Sequence, residues 1–134
     1  MGKFYLGMNY NGGGIEIARQ LAPMLELMTG DKCVSRWFHS EAHKHGEFRR
    51  TIACSDVADI AQSDYVVLAP LSRTSRGTHV EMGLALGLDK PVYLYRPDGI
   101  DGVGFDALCI PWRPDWIAVL DELIAHAKEG GGRE

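Results

Sequence analysis

The 134-residue sequence contains no long apolar run, no basic run and few cysteines. No apolar stretch reaches the roughly 18 residues that a membrane span requires, which argues against an integral membrane protein. The formal net charge is −4, so the composition gives no support for binding a nucleic-acid polymer. The first residues also lack the long apolar region and the small-residue cleavage site of a signal peptide. We therefore expect a cytoplasmic protein with no membrane or nucleic-acid partner.

The residue types that usually bind metals are present but show no metal-binding pattern. The cysteines are odd in number and lack metal-like spacing: Cys33, Cys54 and Cys109. Each lies in or beside an apolar segment, so we interpret all three as buried, reduced thiols. Three histidines share one polar segment, His39, His43 and His45, but no H-E-x-x-H or C-x-x-C pattern organises them. We expect neither a metal nor another cofactor.

Short apolar segments typical of strands alternate with segments of helical periodicity. The predicted strands are Lys3–Met8, Lys32–Phe38, Asp64–Ala69, Pro91–Tyr95 and Ala107–Ile110. The predicted helices are Ile15–Met28, Arg49–Gln62, Thr78–Leu88 and Pro114–Lys128. This alternation predicts an α/β fold with a single doubly wound five-stranded parallel sheet, flavodoxin-like in the order 2-1-3-4-5. We expect one domain over residues 1–129 and a flexible tail over 130–134.

In that strand order, two loops meet where the first and third strands end. The turn Asn9–Gly14 is rich in glycine and precedes a helix, so its N–H groups and the helix N-terminus favour a phosphate or a sugar. A flexible turn without a ligand is the alternative. The turn is neither G-x-G-x-x-G nor a P-loop, so the signal for a dinucleotide is weak. The loop Pro70–Gly77 would line the same crevice.

Glu81 follows this second loop and allows two interpretations. Thr78 and Glu81 fit the capping box S/T-x-x-E, in which the glutamate bonds back to the cap residue. Alternatively, Glu81 is the first residue of an inward apolar stripe that it shares with Leu84, Ala85 and Leu88. A poorly solvated carboxylate at a helix N-terminus, facing a ligand crevice, suits a nucleophile or a ligand anchor.

Other candidate residues carry weaker signals. The predicted helix Arg49–Gln62 carries Asp56 and Asp59, and most acidic residues on such a helix are solvated. Its apolar residues expected to face inward are Ile52, Val57, Ile60 and Ala61. Trp37 lies near the end of its predicted strand, where it could stack on a ligand ring, although we favour core packing.

The segment from Asp56 to Tyr95 resembles the signature of the nucleoside 2-deoxyribosyltransferase superfamily. That superfamily includes base-exchanging transferases and 2'-deoxynucleoside 5'-monophosphate N-glycosidases. The matching elements are Asp56, then Asp64-Tyr65-Val66-Val67, then Gly77-Thr78-His79-Val80-Glu81-Met82-Gly83-Leu84-Ala85, and finally Lys90-Pro91-Val92. As a combined pattern these elements are far more specific than any one of them.

The resemblance implies roles for particular residues. Glu81 matches the family nucleophile, which attacks the anomeric carbon and forms a covalent sugar ester that a base or water then resolves. Asp56 is the candidate general acid/base. The expected substrate-binding residues are Asn9, Tyr10, Gly12, Gly13, Trp37, Ser75 and Gly77.

Ser75 distinguishes two branches of the superfamily. Six residues before the nucleophile, transferases that act on free nucleosides usually have an acidic residue, whereas the nucleotide N-glycosidases use serine to accept a 5'-phosphate. A hydroxyl and nearby N–H groups accept a phosphate that a carboxylate would repel. Gly12 and Gly13 resemble the glycine pair that those hydrolases place beside the phosphate. An ordinary loop serine is the alternative.

The sequence therefore predicts an enzyme that cleaves the N-glycosidic bond of a 2'-deoxynucleoside or its 5'-monophosphate, with transfer to another base or to water. Its partner is a small-molecule nucleoside or nucleotide, and the resemblance implies a homodimer or higher homo-oligomer. The alternative is a non-catalytic nucleotide-binding or sensor module on the same fold, in which Glu81 only caps its helix.

Overall fold

Five parallel strands form one sheet at the centre of the molecule. The computed structural model describes residues 2–9, 13–39, 49–72, 76–97, 100 and 102–131. The strands are β1 (Lys3–Met8), β2 (Lys32–Cys33), β3 (Tyr65–Ala69), β4 (Val92–Leu94) and β5 (Ile110–Pro111). Their order is β2-β1-β3-β4-β5, and every neighbouring pair is parallel. The predicted flavodoxin-like α/β fold with the order 2-1-3-4-5 is confirmed.

Four helices cover the two faces of this sheet. They are α1 (Gly14–Thr29), α2 (Arg49–Gln62), α3 (Arg76–Gly87) and α4 (Pro114–Gly131). Helix α1 packs against α4 and α2 packs against α3, as a doubly wound sheet requires. Within the described part of the chain, no helix is long and apolar enough to cross a membrane.

The core is built on the two central strands, β1 and β3. Apolar side chains of both strands are fully buried, and α1 adds an inward stripe: Phe4, Leu6, Val66, Leu68, Ile17, Leu21 and Leu25. Each such side chain contributes about 1.5–3 kcal/mol when it leaves water. Because β1 and β3 are neighbours, their carboxyl ends are held in a rigid register, with Met8 opposite Ala69.

Strand β2 is much shorter than predicted. It ends at Cys33 rather than Phe38. The chain then leaves the ladder, and the Ser35 hydroxyl replaces backbone pairing by accepting from the Leu6 N–H (2.7 Å) and donating to the Leu6 carbonyl oxygen (3.0 Å). A short 3₁₀ helix follows at Trp37–His39. Side-chain competition of this kind is not visible in an apolar pattern.

The fifth strand and the last helix also differ from the prediction. Residues 107 and 108 belong to a 3₁₀ helix, Gly104–Leu108, and β5 starts only at Ile110. Helix α4 continues through Gly131, so the tail boundary expected after residue 129 falls inside a helix. Residues 132–134 lie outside the described residues.

The expectation of three buried thiols is wrong for one of them. Cys54 is exposed on α2, whereas Cys33 and Cys109 are partly buried. All three thiols are free. Burial raises the pKa of the Cys33 and Cys109 thiols, so both stay protonated at neutral pH.

Candidate active site

A hydrogen bond joins the two chain segments that leave the sheet at its switch point. Asn9 directly follows β1, and its side-chain oxygen accepts from the backbone N–H of Leu71 (3.0 Å), two residues beyond β3. The predicted meeting of these two segments is therefore observed. Gly14 lies very close to Asn9, because a Cβ on Gly14 would overlap the carbonyl oxygen of Asn9.

Gly13 starts helix α1 in a left-handed backbone conformation. Its φ is 83°, which a residue with a side chain rarely adopts. As a glycine, the N-cap residue Gly13 has no side chain that could occupy the first-turn N–H groups of α1, and N–H groups at such a position can donate to an anion. Tyr10 and Gly12, predicted for the same turn, lie outside the described residues.

The carboxyl group of Glu81 is buried against strand β1. The hydroxyl of Tyr5, a fully buried β1 residue, donates a hydrogen bond to it. Its Oε2 atom is buried and has no hydrogen-bond partner within the described part of the chain. A Cβ placed on Gly7 would lie 3.1 Å from that oxygen, so the carboxyl group rests directly on the backbone of β1.

Burial raises the pKa of Glu81 to about 8. The Tyr5 hydrogen bond opposes this shift, because it favours the anion, whereas the negative charge of Asp56 adds to it. Glu81 therefore holds its proton in the free protein at neutral pH. A carboxylate in such a site is poorly solvated and is stabilised once positive charge develops beside it.

Three elements thus bring their functional groups together at one place. Tyr5 comes from β1, Asp56 from α2 and Glu81 from α3, and Asp56 is half-buried. The sequence predicted Glu81 and Asp56 but not Tyr5. The signal was available: alternate residues of a strand share a face, so Tyr5 lies on the same face as Asn9.

The capping-box interpretation of Glu81 is wrong. Helix α3 begins at Arg76, two residues earlier than predicted, so Thr78 lies inside the helix and cannot be its cap. The Thr78 side chain is buried, and its hydroxyl finds no hydrogen-bond partner among residues that the structure describes. The inward stripe is also corrected, since Leu88 is exposed and Met82 is buried in its place.

Trp37 packs in the core. Its side chain is only 2% exposed, and its indole N–H donates to the carbonyl oxygen of Leu6 (2.7 Å). The structure favours the core-packing interpretation of this residue, because almost no ring surface is left for stacking on a ligand. It does not join Glu81, Asp56 and Tyr5.

The expectation that Asp59 is solvated is wrong. Its side chain is 0% exposed and accepts from the backbone N–H and the Nε of Arg36 at 3.1 and 2.9 Å. Asp59 lies one turn after Asp56 on α2, so this anchor also fixes the position of Asp56. The inward face of α2 differs from the prediction as well, since Val57 and Ala61 are exposed.

The segment after β4 carries a partly buried ion pair, and the arginine of this pair also contacts the first turn of α3. Arg96 donates from Nε and Nη2 to the two carboxylate oxygens of Asp106, both at 2.8 Å, and its Nη1 lies 3.2 Å from Nε2 of His79. The guanidinium holds the pKa of the Asp106 carboxyl below its usual value. Sequence reasoning missed this pair, because its partners come from separate segments.

Two predicted substrate-binding residues remain, Gly77 and Ser75. Gly77 is exposed in the first turn of α3, one turn before Glu81. Ser75 lies outside the described residues, as do His43 and His45. Among the residues described, no group of three or more His, Cys, Asp or Glu side chains is arranged to hold a metal.

Comparison with known families now bears on this arrangement. The family model described as nucleoside 2-deoxyribosyltransferase matches residues 16–108, well over half of the chain. The protein belongs to this family. The match includes Asp56 and Glu81 but starts beyond Tyr5.

A solved structure shares the fold. It is the CMP N-glycosidase BcmB of Clostridium botulinum, with a TM-score of 0.58 and 16% sequence identity, and the match covers 90% of this chain and 97% of that one. Comparison with curated protein sequences finds no match. The family match indicates nucleoside deoxyribosyltransferase-like chemistry, and the solved structure shows that its fold is shared.

Proposed function

We propose that this nucleoside 2-deoxyribosyltransferase family member cleaves the N-glycosidic bond of a 2'-deoxynucleoside or its 5'-monophosphate, with Glu81 as the nucleophile. The observation that carries the proposal is the buried carboxyl group of Glu81 at the switch point of the sheet. This group accepts a hydrogen bond from the Tyr5 hydroxyl, and the negative charge of Asp56 raises its pKa. A carboxyl group whose pKa is strongly raised by burial is typical of a reactive site.

The reaction is a double displacement at the sugar C1' atom. In the first step a Glu81 oxygen forms a bond to C1', the C1'–N bond breaks, and its electron pair leaves with the base. The Glu81 proton passes to Asp56 when the substrate binds, and Asp56 then gives this proton to the departing base. In the second step water or another base attacks C1' and gives a proton to Asp56, the ester bond breaks, and Glu81 regains its carboxylate.

The surroundings of Glu81 suit this transition state. The sugar develops oxocarbenium character, and a nearby carboxylate stabilises that positive charge more strongly in a water-poor site than in water. The Tyr5 hydrogen bond favours the ionised form of Glu81, so it helps the carboxyl group to lose its proton when the substrate arrives. Desolvation and one donor together set the reactivity of the nucleophile.

We propose the 5'-monophosphate as the preferred substrate. In sequence, Ser75 occupies the position where nucleoside transferases usually carry an acidic residue. The start of α1 at Gly13 offers backbone N–H groups to an anion at the same end of the sheet. The structurally similar BcmB is named as a CMP N-glycosidase, so its name indicates that a protein with this fold acts on a nucleoside monophosphate.

We also propose that the enzyme is a cytoplasmic homodimer. Apolar side chains are exposed on α2, on α3 and directly after α3: Val57, Val80 and Leu88. A second copy that packs here would bury them, and the resemblance to the family implies that paired subunits build the site together. Three free thiols suit a reducing compartment.

Base release is the direct test. The protein is incubated with deoxynucleoside 5'-monophosphates, CMP and the free nucleosides, with and without a second base, and products are separated by chromatography. We expect base release from at least one substrate and loss of at least ~10³-fold in rate for Glu81→Gln. Release of no base would leave the non-catalytic binding module, whereas full activity of Glu81→Gln would show that Glu81 is not the nucleophile.

The monophosphate preference has its own test. Ser75→Asp places a negative charge where we propose a phosphate, so kcat/KM for monophosphates should fall by about tenfold or more, while kcat/KM for free nucleosides changes little. Ser75→Ala is the matched control without the charge. An equal effect of Ser75→Asp on both substrate classes would remove the phosphate assignment.

A further inference from the structure

Gly7 occupies a position in β1 where glycine has no conformational reason to occur. Its backbone is ordinary strand, since the positive-φ glycines among the described residues are Gly13 and Gly30. Glycine inside a strand weakens it, by roughly 0.5–1 kcal/mol relative to alanine, and it often marks a close approach of another group. Gly7 lies between Tyr5 and Asn9 on the face of β1 that carries the candidate site.

The group that approaches Gly7 closely is the carboxyl group of Glu81. A Cβ at Gly7 would lie 3.1 Å from Glu81 Oε2, 3.1 Å from Tyr5 Cε1 and 2.7 Å from Leu68 Cδ2. The first two distances involve the candidate nucleophile and the ring that donates to it. The third involves the flexible end of a leucine, which can rotate away. An added methyl group therefore competes with Glu81 for the same space.

We propose that Gly7 is a positioning residue whose missing side chain lets the Glu81 carboxyl group lie on β1, within reach of the Tyr5 hydroxyl and at the depth needed for attack on C1'. This inference rests on the proposed function. It requires no contact between Gly7 and substrate, because Gly7 acts through Glu81. A methyl group at this position would move the carboxyl group outward and loosen its hydrogen bond to Tyr5.

The test separates positioning from packing with a double variant. Gly7→Ala should lower kcat for base release by ~10–100-fold with KM within about threefold, because a shift of the reacting group by up to ~1 Å costs rate rather than binding. Leu68→Val removes the closest overlap, so it should leave kcat near the wild-type value. Gly7→Ala/Leu68→Val should regain thermal stability lost in Gly7→Ala yet keep the low kcat.

Two results would overturn the proposal. Wild-type kcat in Gly7→Ala would show that the carboxyl group does not need the space. Recovery of kcat in the double variant would show that Gly7 only relieves packing against Leu68. If Gly7→Ala does not fold, the comparison of the double variant with Leu68→Val alone still decides between positioning and packing.

A second readout does not depend on turnover. Carboxyl ¹³C NMR titration of Glu81, assigned with Glu81→Gln, should give a lower titration midpoint in Gly7→Ala/Leu68→Val than in Leu68→Val, because displacement towards water removes the burial that raises it. An unchanged midpoint would contradict the proposal. If the wild type releases no base from any substrate, the proposed function fails while this titration still tests the role of Gly7.

Discussion

At the scale of single residues, the protonated form of Glu81 stabilises the folded protein, whereas the proposed reaction requires its anion. Its pKa is about 8 in the folded protein, against an ordinary value of 4.5, because burial penalises the anion. The folded state therefore keeps a proton that the unfolded state loses near pH 4.5. The stability that this proton contributes is fully present below pH 4.5, falls as the pH rises, and is lost above about pH 8.

We therefore expect Glu81→Gln to stabilise the protein in a pH-dependent way. Glutamine cannot ionise, so the variant escapes the loss between pH 4.5 and 8, at roughly 1.4 kcal/mol for each pKa unit. The increase in Tm over the wild type should be several degrees at pH 9 and much smaller at pH 4.5. Thermal unfolding across this range measures it, and a constant difference would show that Glu81 does not titrate near pH 8.

Tyr5→Phe tests the donor to Glu81. Loss of the hydroxyl removes the hydrogen bond that favours the anion, so the Glu81 pKa should rise above 8 and the rising limb of kcat/KM against pH should move to higher pH. At pH 7 we expect a loss of about 10–100-fold, the value of a hydrogen bond to a charged group.

Tyr65→Phe is the matched control for that variant. The Tyr65 hydroxyl donates to Asp31 (2.6 Å) near the amino end of β3, away from the candidate site. Loss of the Tyr65 hydroxyl should lower stability but should not shift the rising limb of kcat/KM against pH. If the rising limb of kcat/KM lies at the same pH in the wild type and in Tyr5→Phe, the Tyr5 hydroxyl does not act on Glu81.

At the scale of elements, the sequence predicted what depends on apolar periodicity and missed what depends on polar side chains. Strand β1 has the predicted bounds, and α2 does too. Strand β2 stops early because Ser35 replaces the ladder, and the Arg36–Asp59 contact buries an aspartate expected to be solvated. Polar contacts between distant segments leave no periodic signal, so local patterns cannot reveal them.

Asp59 is the polar contact with the largest consequence for the site. Asp59→Ala should destabilise the protein by about 1–3 kcal/mol, because it leaves the backbone N–H and guanidinium of Arg36 without their buried acceptor. Activity should also fall, since the same anchor fixes α2 and with it Asp56.

An exposed ion pair supplies the control for Asp59. Asp115 pairs with Arg113 (2.6 Å) while both side chains are nearly half exposed, so Asp115→Ala should cost much less stability than Asp59→Ala and leave activity unchanged. Urea unfolding and base release measure both variants. Similar losses of stability would show that burial of Asp59 does not strengthen its anchor.

At the scale of the whole molecule, the sequence carried the topology and two of the three side chains that meet at the site. The strand order follows from connection rules that apply to any alternating α/β chain. Asp56 and Glu81 were found because the family pattern spans α2 to β4, whereas Tyr5 lies in the part matched only loosely. The exposure of Val57 and Ala61, expected to face inward, is the largest misjudgement.

The exposure of these residues has a physical explanation: part of the α2 face that was predicted to pack in the core belongs to a second surface. Val80 is 71% exposed and Val57 52% exposed on adjacent helices, which favours contact with a second copy. Light scattering after gel filtration should give twice the chain mass of 14.8 kDa. Val80→Asp and Leu88→Asp should each give the monomer, because a dimer interface does not tolerate an unpaired buried charge.

Leu27→Asp controls for the general effect of a surface charge. Leu27 is 87% exposed on α1, on the other face of the sheet, so this variant should remain dimeric. Leu88→Asp changes a residue two turns beyond Glu81, so a loss of base release that accompanies its dissociation would mean that the partner completes the site. A wild-type monomer would mean that no partner copy covers the exposed face of α2 and α3 and that the site lies within one chain. Identical masses for the three variants would mean the same.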